Sequence, residues 1–119
     1  MLKLNHKKLD VWQAGINFTM KIYELTNNFP KSELYGLSSQ IRRAAVSVPS
    51  NLAEGAARKS KQERLRFYEI ARSSLVEIDT QLEISIQLNY VKQEYLHELD
   101  KDMNKIFAML SQLIKNTTR

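Results

Sequence analysis

Apolar side chains recur at intervals of three and four residues along almost the whole chain, in four separate segments. This spacing predicts helices over about 10–28, 33–57, 61–90 and 93–115. Only 3 glycines and 2 prolines occur among the 119 residues, so few tight turns can form and an all-β sandwich is disfavoured. The expected fold is all-α: an up-down-up-down antiparallel four-helix bundle in which residues 1–119 form a single domain.

Short motifs mark the ends of these helices. Pro30 ends the first helix, because the residue before a proline is pushed out of the α region. Ser32 is the predicted N-cap of the second helix. Ser60 and Glu63 have the spacing of a capping box, in which a hydroxyl and a carboxylate reciprocally satisfy free amide groups. The third helix is therefore predicted to begin at residue 61.

Pro49 lies inside the second predicted helix. Its nitrogen carries no hydrogen and cannot donate to the carbonyl of Ala45, so a kink at Pro49 is predicted. The alternative is a break, with Ser47 capping a short separate helix.

Each helix has one apolar face that is expected to point into the core. In the first helix this face consists of Val11, Ala14, Phe18, Ile22 and Leu25, and in the second of Leu34, Leu37, Ile41, Ala44, Ala45, Val48 and Leu52. In the third helix it consists of Phe67, Ala71, Leu75, Ile78, Leu82 and Ile86, and in the fourth of Leu96, Leu99, Met103, Ile106, Leu110 and Leu113.

Two helices carry additional apolar residues away from the core face. The first helix has Trp12, Ile16, Met20 and Tyr23 on its opposite side. The third has a weaker line, Ile70, Ile84 and Leu88. Because a helix that covers a monomer core needs only one apolar stripe, these seven residues are predicted to contact other copies of the chain.

The composition excludes several kinds of site. With no Cys, the chain has no disulfide, thiolate zinc site, iron–sulfur cluster or cysteine nucleophile, which favours a reducing compartment. Charged residues interrupt the first 30 positions, and no run approaches the roughly 20 apolar residues that cross a bilayer. A cytoplasmic protein without a membrane partner is expected.

Residues suited to catalysis are sparse. Glu94 and His97 form a single Glu-x-x-His pair, whereas a di-metal bundle site needs two, so both are interpreted as surface residues. Asp79 and Glu83 lie one turn apart and are interpreted as partners in internal or intersubunit ion pairs rather than as an acid–base pair. No metal, cofactor or enzymatic activity is expected.

Positive charge is concentrated in the middle of the chain. The net charge is +5, and residues 31–72 hold nine basic and four acidic side chains. Five cations fall within nine positions: Arg58, Lys59, Lys61, Arg64 and Arg66. Cations at a helix N-terminus oppose its dipole, so helix stability does not explain them, whereas binding of nucleic-acid phosphates does. An acidic protein partner and a merely solvated turn are the alternatives.

Polar side chains also recur on one face of the second helix, at Gln40, Arg43, Ser47, Asn51 and Glu54. We interpret them as a solvated face or as a hydrogen-bonded seam at a subunit contact. A functional surface is the alternative.

Three parts of the sequence resemble a known family. They are Leu9-Asp10-Val11-Trp12, the sixteen residues from Gln40 to Gly55, and the run from Phe67 to Ser74. Together they resemble the bacterial four-helix bundle family, also called the 23S rRNA intervening sequence protein family. The resemblance extends over nearly the whole chain.

The resemblance implies a small bundle that assembles into a homopentamer with a basic surface. The family is similar to the accessory variability protein of diversity-generating retroelements, which binds nucleic acid and partners a reverse transcriptase. Arg42, Arg43, Arg58, Lys59 and Arg72 match basic positions of the family pattern, whereas Lys61, Arg64 and Arg66 are candidates on charge alone. The expected function is non-enzymatic binding of structured RNA or DNA. The alternative is docking of another protein, such as a reverse transcriptase, without nucleic-acid binding.

Overall fold

Four long helices account for most of the chain in the computed structural model, which describes all 119 residues. They are α1 (Asp10–Thr26), α2 (Leu37–Ala56), α3 (Lys61–Gln87) and α4 (His97–Thr118), with 3₁₀ turns at Asn5–Lys8, Lys31–Glu33 and Gln93–Leu96. Consecutive helices contact each other, and α1 also contacts α4, which closes the bundle. The predicted all-α four-helix bundle is confirmed. None of the four helices is long and apolar enough to cross a membrane.

The predicted apolar faces meet in one core. Phe18, Ile41, Ile78 and Ile106 are at most 1% exposed and represent α1 to α4 in turn. Leu34 was predicted to belong to this core but is 48% exposed, because it precedes α2 instead of lying in its first turn.

The start of α2 differs from the prediction. The helix begins at Leu37 rather than at residue 33, and Ser32 lies in a 3₁₀ turn without capping it. The cap comes instead from Glu33, whose Oε1 accepts a hydrogen bond from the Leu37 amide at 3.1 Å. The predicted Ser32 N-cap is therefore wrong.

The predicted start of α3 is confirmed, since the Ser60 hydroxyl accepts a hydrogen bond from the Glu63 amide at 3.1 Å. The helix ends at Gln87, before the predicted residue 90, because Asn89 adopts a left-handed conformation with φ of 61°. The Tyr90 amide then donates to the Ser85 carbonyl, as in a Schellman motif.

The other helix ends also differ from the prediction. Helix α1 stops at Thr26 instead of residue 28, because the chain turns before Pro30. Helix α4 starts at His97 instead of residue 93, since a 3₁₀ turn precedes it, and it extends to Thr118 instead of residue 115.

Helix α2 continues through Pro49, so the alternative of a break with Ser47 as a cap is wrong. A kink at Pro49 remains a prediction. The carbonyl of Ala45, which receives no hydrogen bond from Pro49, accepts one from the Thr19 hydroxyl of α1 at 3.1 Å. The same hydroxyl lies 2.8 Å from the carbonyl of Gly15 and shares its single proton between the two.

Small residues bring α2 and α3 close together. A Cβ added at Gly55 would lie 2.7 Å from Cε1 of Tyr68, whose ring is buried. Further along the pair, the hydroxyls of Ser47 and Ser74 are 2.8 Å apart, and the Asn51 amide donates to the Ser47 hydroxyl at 2.8 Å.

Glu33 and Tyr90 form a hydrogen bond at the end of the bundle opposite the α2–α3 turn. The Tyr90 hydroxyl donates to the Glu33 carboxylate at 2.7 Å, and the Tyr90 ring packs on Phe29 with centroids 5.6 Å apart. This hydrogen bond and the one from Leu37 lower the pKa of Glu33 below its ordinary value. The charged form of Glu33 therefore favours the folded state.

We expect Gly55→Ala to lower the free energy of unfolding by about 1–3 kcal/mol, because the new methyl group overpacks the α2–α3 contact. Gly15→Ala is the matched control: its Cβ would lie at ordinary contact distance, 3.6 Å from Pro49 and Val48. Since Ala has the higher helix propensity, Gly15→Ala should stabilise the protein by up to about 1 kcal/mol. Urea denaturation measures both. Equal effects at the two positions would contradict the close α2–α3 packing.

We expect Glu33→Gln to destabilise the protein at pH 7, where the carboxylate is charged and accepts both hydrogen bonds. The folded pKa is lowered, so the contribution of Glu33 is present above the ordinary value of 4.5 and is lost as pH falls through the folded pKa. The difference between wild type and variant should shrink in acid, as measured by urea denaturation at pH 7 and pH 3. Glu24→Gln, at an exposed site without a hydrogen-bond partner, is the control. A pH-independent difference would contradict this role.

Candidate nucleic-acid interface

The basic run lies at the tip of the α2–α3 hairpin, and Arg64 shapes that tip. Its Nη1 donates to the carbonyl of Lys59 at 2.7 Å and to that of Arg58 at 3.3 Å. Arg64 thereby satisfies two carbonyl groups of the turn between α2 and α3. This candidate residue therefore holds the turn in shape in addition to carrying charge.

The other cations of the run differ in how strongly they are held. Arg58 contacts Glu54 at 3.1 Å and lies 4.9 Å above the Phe67 ring. Lys61 donates to the carbonyl of Arg119 at 3.1 Å, which places the end of α4 beside the start of α3. Lys59 and Arg66 are exposed and form neither a side-chain hydrogen bond nor an ion pair, so they are free to meet an anion.

Arg42 and Arg72 point away from the hairpin tip. Arg42 lies on the α1 side, where it donates to Thr26 at 2.7 Å and Asn27 at 2.9 Å. Its guanidinium also lies 4.8 Å from the centroid of the Tyr23 ring. These contacts fasten α2 to the C-terminal end of α1.

Arg72 faces α4 instead. It donates to Ser111 at 3.3 Å and lies 5.8 Å from the centroid of the Phe107 ring. Arg43 is exposed on α2 and lines a cleft with Glu77. The eight basic candidates therefore do not form one continuous surface. The sequence did not predict this, because spacing along a helix does not show which neighbouring helix each side chain faces.

An open groove with a volume of about 990 Å³ runs along α3, which supplies all of its lining residues. Arg66, Ile70, Ser74 and Glu77 are among its lining residues. The polar face predicted on α2 contributes Ser47 and Asn51 to the hydrogen-bonded contact with Ser74, so part of that face is used within the chain.

The residues predicted to contact other copies are accessible to different degrees. Met20 is 60% exposed and Tyr23 40%, whereas Trp12 and Ile16 are half-buried. Trp12 and Ile16 line a shallow groove with Val46 and Pro49 of α2, and His6 packs edge-on against the Trp12 ring at 5.2 Å.

On α3, Ile70, Ile84 and Leu88 are 39–48% exposed. Ile70 lines the groove along α3 described above, whereas Trp12 and Ile16 share a different groove with residues of α2, so the two predicted contact faces do not share a groove.

The residues considered as catalytic or metal-binding candidates lie at the surface. Glu94 and His97 are exposed, in agreement with their interpretation as surface residues. Asp79 and Glu83 are exposed too, and neither pairs with a cation of the same chain. The internal ion pair is therefore wrong, whereas the intersubunit ion pair stays a prediction. No group of three or more His, Asp or Glu side chains has the arrangement of a metal site.

Some basic residues near the hairpin tip were missed. The Lys61–Arg119 contact brings the end of α4, with Lys115, to this region. Lys8 directly precedes Leu9, the N-cap of α1, and so lies at the same end of the bundle. Only their positive charge signalled them in the sequence, because the segments are far apart along the chain.

The fold and the basic tip define a small helical-bundle protein. The sequence profile of the family described as 23S rRNA-intervening sequence protein matches residues 7–112, and the chain belongs to this family. A crystal structure from the S23 ribosomal protein family of Bacteroides thetaiotaomicron, of a protein with unknown function, superposes with a TM-score of 0.81. The match is 24% identical and covers 88% of this chain and 95% of that chain, so it shows the shared fold. No curated protein matches the sequence.

Proposed function

We propose that the protein is a non-enzymatic homo-oligomer, expected to be a pentamer, that binds structured RNA or DNA through its basic surface in the cytoplasm. The observation that carries this proposal is that carboxylates of the same chain neutralise few of the positively charged side chains. Of the 18 Lys and Arg residues, only Lys21 and Arg58 lie within 4.0 Å of an Asp or Glu carboxylate. Exposed cations without a partner, such as Lys59 and Arg66, are available to phosphates, whose binding is driven largely by counterion release.

The chemistry of the hairpin tip favours contacts to the backbone of a nucleic acid. Lys59 and Arg66 are exposed and can each contact a single phosphate. The tip is a short turn and not a helix or strand that could enter a groove of the duplex and read bases. Binding is therefore expected to depend strongly on salt and weakly on sequence.

The assembly part of the proposal rests on the exposed apolar residues. A two-fold dimer uses one self-complementary face, whereas a ring joins two different faces of each subunit. Met20 on α1 and Ile84 on α3 belong to two such faces, on helices that are not consecutive in the chain. This arrangement supports a ring.

A second candidate function, docking of another protein such as a reverse transcriptase, is favoured by one further groove. Val76 and Phe107 are 55% and 42% exposed and line a groove of about 290 Å³ between α3 and α4. Neither residue belongs to the two predicted contact faces. In this alternative the protein does not bind nucleic acid, so the titration below separates the two candidates.

We expect labelled duplex RNA or DNA to bind with an affinity that falls steeply between 50 and 200 mM salt, as measured by fluorescence anisotropy. Lys59→Glu with Arg66→Glu should weaken binding by about tenfold or more, because each phosphate contact that is lost removes released counterions. Both side chains are exposed, so the fold should be kept.

The matched control for this experiment is Lys92→Glu with Lys101→Glu, which makes the same charge change at exposed sites far from the hairpin tip. An equal loss in both variants would mean that only net charge matters. Salt-independent binding, or none at low salt, would contradict the proposed function.

We expect light scattering at micromolar concentration to give about five times the chain mass of 13.9 kDa. Met20→Glu with Ile84→Glu should yield a smaller species, because a charge at each apolar face opposes burial in a subunit contact. Tyr35→Glu with Tyr95→Glu changes two apolar residues that are 93% and 69% exposed outside those faces, and should leave the mass unchanged. A monomeric wild-type protein would refute the assembly.

A further inference from the structure

The contacts between helices fix which residues share a level along the 44 Å length of the bundle. Thr19 contacts Ala45, Ser47 contacts Ser74, and Val76 lines a groove with Asn104. A plane through these contacts divides the bundle into two halves. We name them the turn half, with the α2–α3 turn (residues 1–18, 46–75 and 105–119), and the loop half (residues 19–45 and 76–104).

Charge is divided unequally between these halves. The turn half holds 12 basic and 4 acidic side chains, a net charge of +8. The loop half holds 6 basic and 9 acidic side chains, a net charge of −3. The net charge of +5 is thus the difference between two opposite regions, and the molecule carries a charge dipole along its length.

Internal contacts do not remove this polarity. In the turn half only Arg58 is paired with a carboxylate. In the loop half Lys21 pairs with both Glu98 and Asp102, at 2.8 and 2.7 Å. One of the six cations of this half is therefore neutralised by carboxylates of the same half.

Exposed cations from three separate segments reach the end of the turn half. Lys8 is the last residue of the N-terminal 3₁₀ turn and is followed directly by Leu9, the N-cap of α1. Lys115 lies in the last turn of α4, and Arg119, just after this helix, accepts a hydrogen bond from Lys61. We call the exposed cations Lys8, Lys59, Lys61, Arg66 and Lys115 the end cluster.

We propose that the end cluster, and not the length of α2, is the surface that contacts the phosphates of a nucleic acid, with the bundle standing end-on. This deepens the proposed function and rests on it. The opposite charge of the loop half repels a polyanion, so the dipole turns the cluster towards it during approach.

The shape of the bundle agrees with this orientation. The cross-section of 27 × 20 Å matches about 8 base pairs of duplex at roughly 3.4 Å each. With the helices end-on, none of them lies along a groove to read base edges, so phosphate contacts without sequence readout are expected.

The test compares two triple variants with the same change in net charge. Lys8→Glu, Lys59→Glu and Lys115→Glu alter the end cluster, whereas Lys31→Glu, Lys92→Glu and Lys101→Glu alter exposed sites in the loop half. None of the six side chains forms a hydrogen bond or ion pair, so both variants should fold. Binding of a 20-base-pair RNA duplex and of the same DNA duplex is measured by anisotropy at several salt concentrations.

We expect the end-cluster variant to raise the Kd at least about 100-fold at 0.1 M salt and to reduce the slope of log K against log salt by about 2–3, since each contact contributes roughly 0.9. The loop-half variant should stay within about threefold of wild type, because charges farther than a Debye length of about 10 Å are screened. Circular dichroism and light scattering check folding and mass. Lys8→Gln, Lys59→Gln and Lys115→Gln should give the same ranking with a smaller change.

Each other result counts against the end-on orientation in a distinct way. Wild-type binding with equal effects of both variants, or with a larger effect in the loop half, overturns it but leaves the proposed function intact. A changed oligomer mass in the end-cluster variant with unchanged Kd makes the cluster a contact between copies, which also overturns it. Failure of the wild type to bind either duplex overturns the proposed function as well.

Discussion

The close approach of α2 and α3 determines where the rest of the molecule lies. Gly55 lets the buried ring of Tyr68 rest against the backbone of α2, and the Ser47–Ser74 hydrogen bond fixes the same register two turns away. With the two helices held at these points, only four residues separate Ala56 from Lys61. The basic turn is therefore a rigid connection that Ser60 and Arg64 hold in place, and its cations have a defined position at one end of the bundle.

Pro49 shows how the other side of α2 depends on a neighbouring helix. A proline in a helix leaves the carbonyl four residues earlier without its usual donor. Here the Thr19 hydroxyl of α1 supplies a hydrogen bond to Ala45, so a defect in α2 becomes a contact between helices. Arg42 adds a second link, to Thr26 and Asn27 at the end of α1. With its inner face fixed in this way, α1 leaves Met20 exposed on its outer side.

Local patterns predicted the helices and the core because both depend on spacing within one segment. The N-cap at Ser60 was found for the same reason, since Ser60 and Glu63 lie within four residues, although only the Ser60 hydroxyl bond of the predicted capping box forms. The cap of α2 was missed because its position depends on Tyr90, 57 residues away, which holds the Glu33 carboxylate. Likewise, Arg42 and Arg72 carry the expected charge, but the direction each faces is set by packing against α1 and α4. The contribution of Lys115 also depends on where another helix ends.

The candidate surfaces for assembly and for nucleic-acid binding occupy different parts of the bundle, so subunit contacts and nucleic-acid contacts do not compete for the same residues. The predicted subunit contacts lie along the sides of α1 and α3, whereas the end cluster lies where the helices turn or end. Contact through the sides would bury Met20 and Ile84 without covering Lys59 or Lys115. In the proposed ring, side-by-side packing would then place one basic end per subunit next to another. Since linked weak contacts act together, five modest phosphate-binding ends would bind one long nucleic acid far more tightly than a single subunit does.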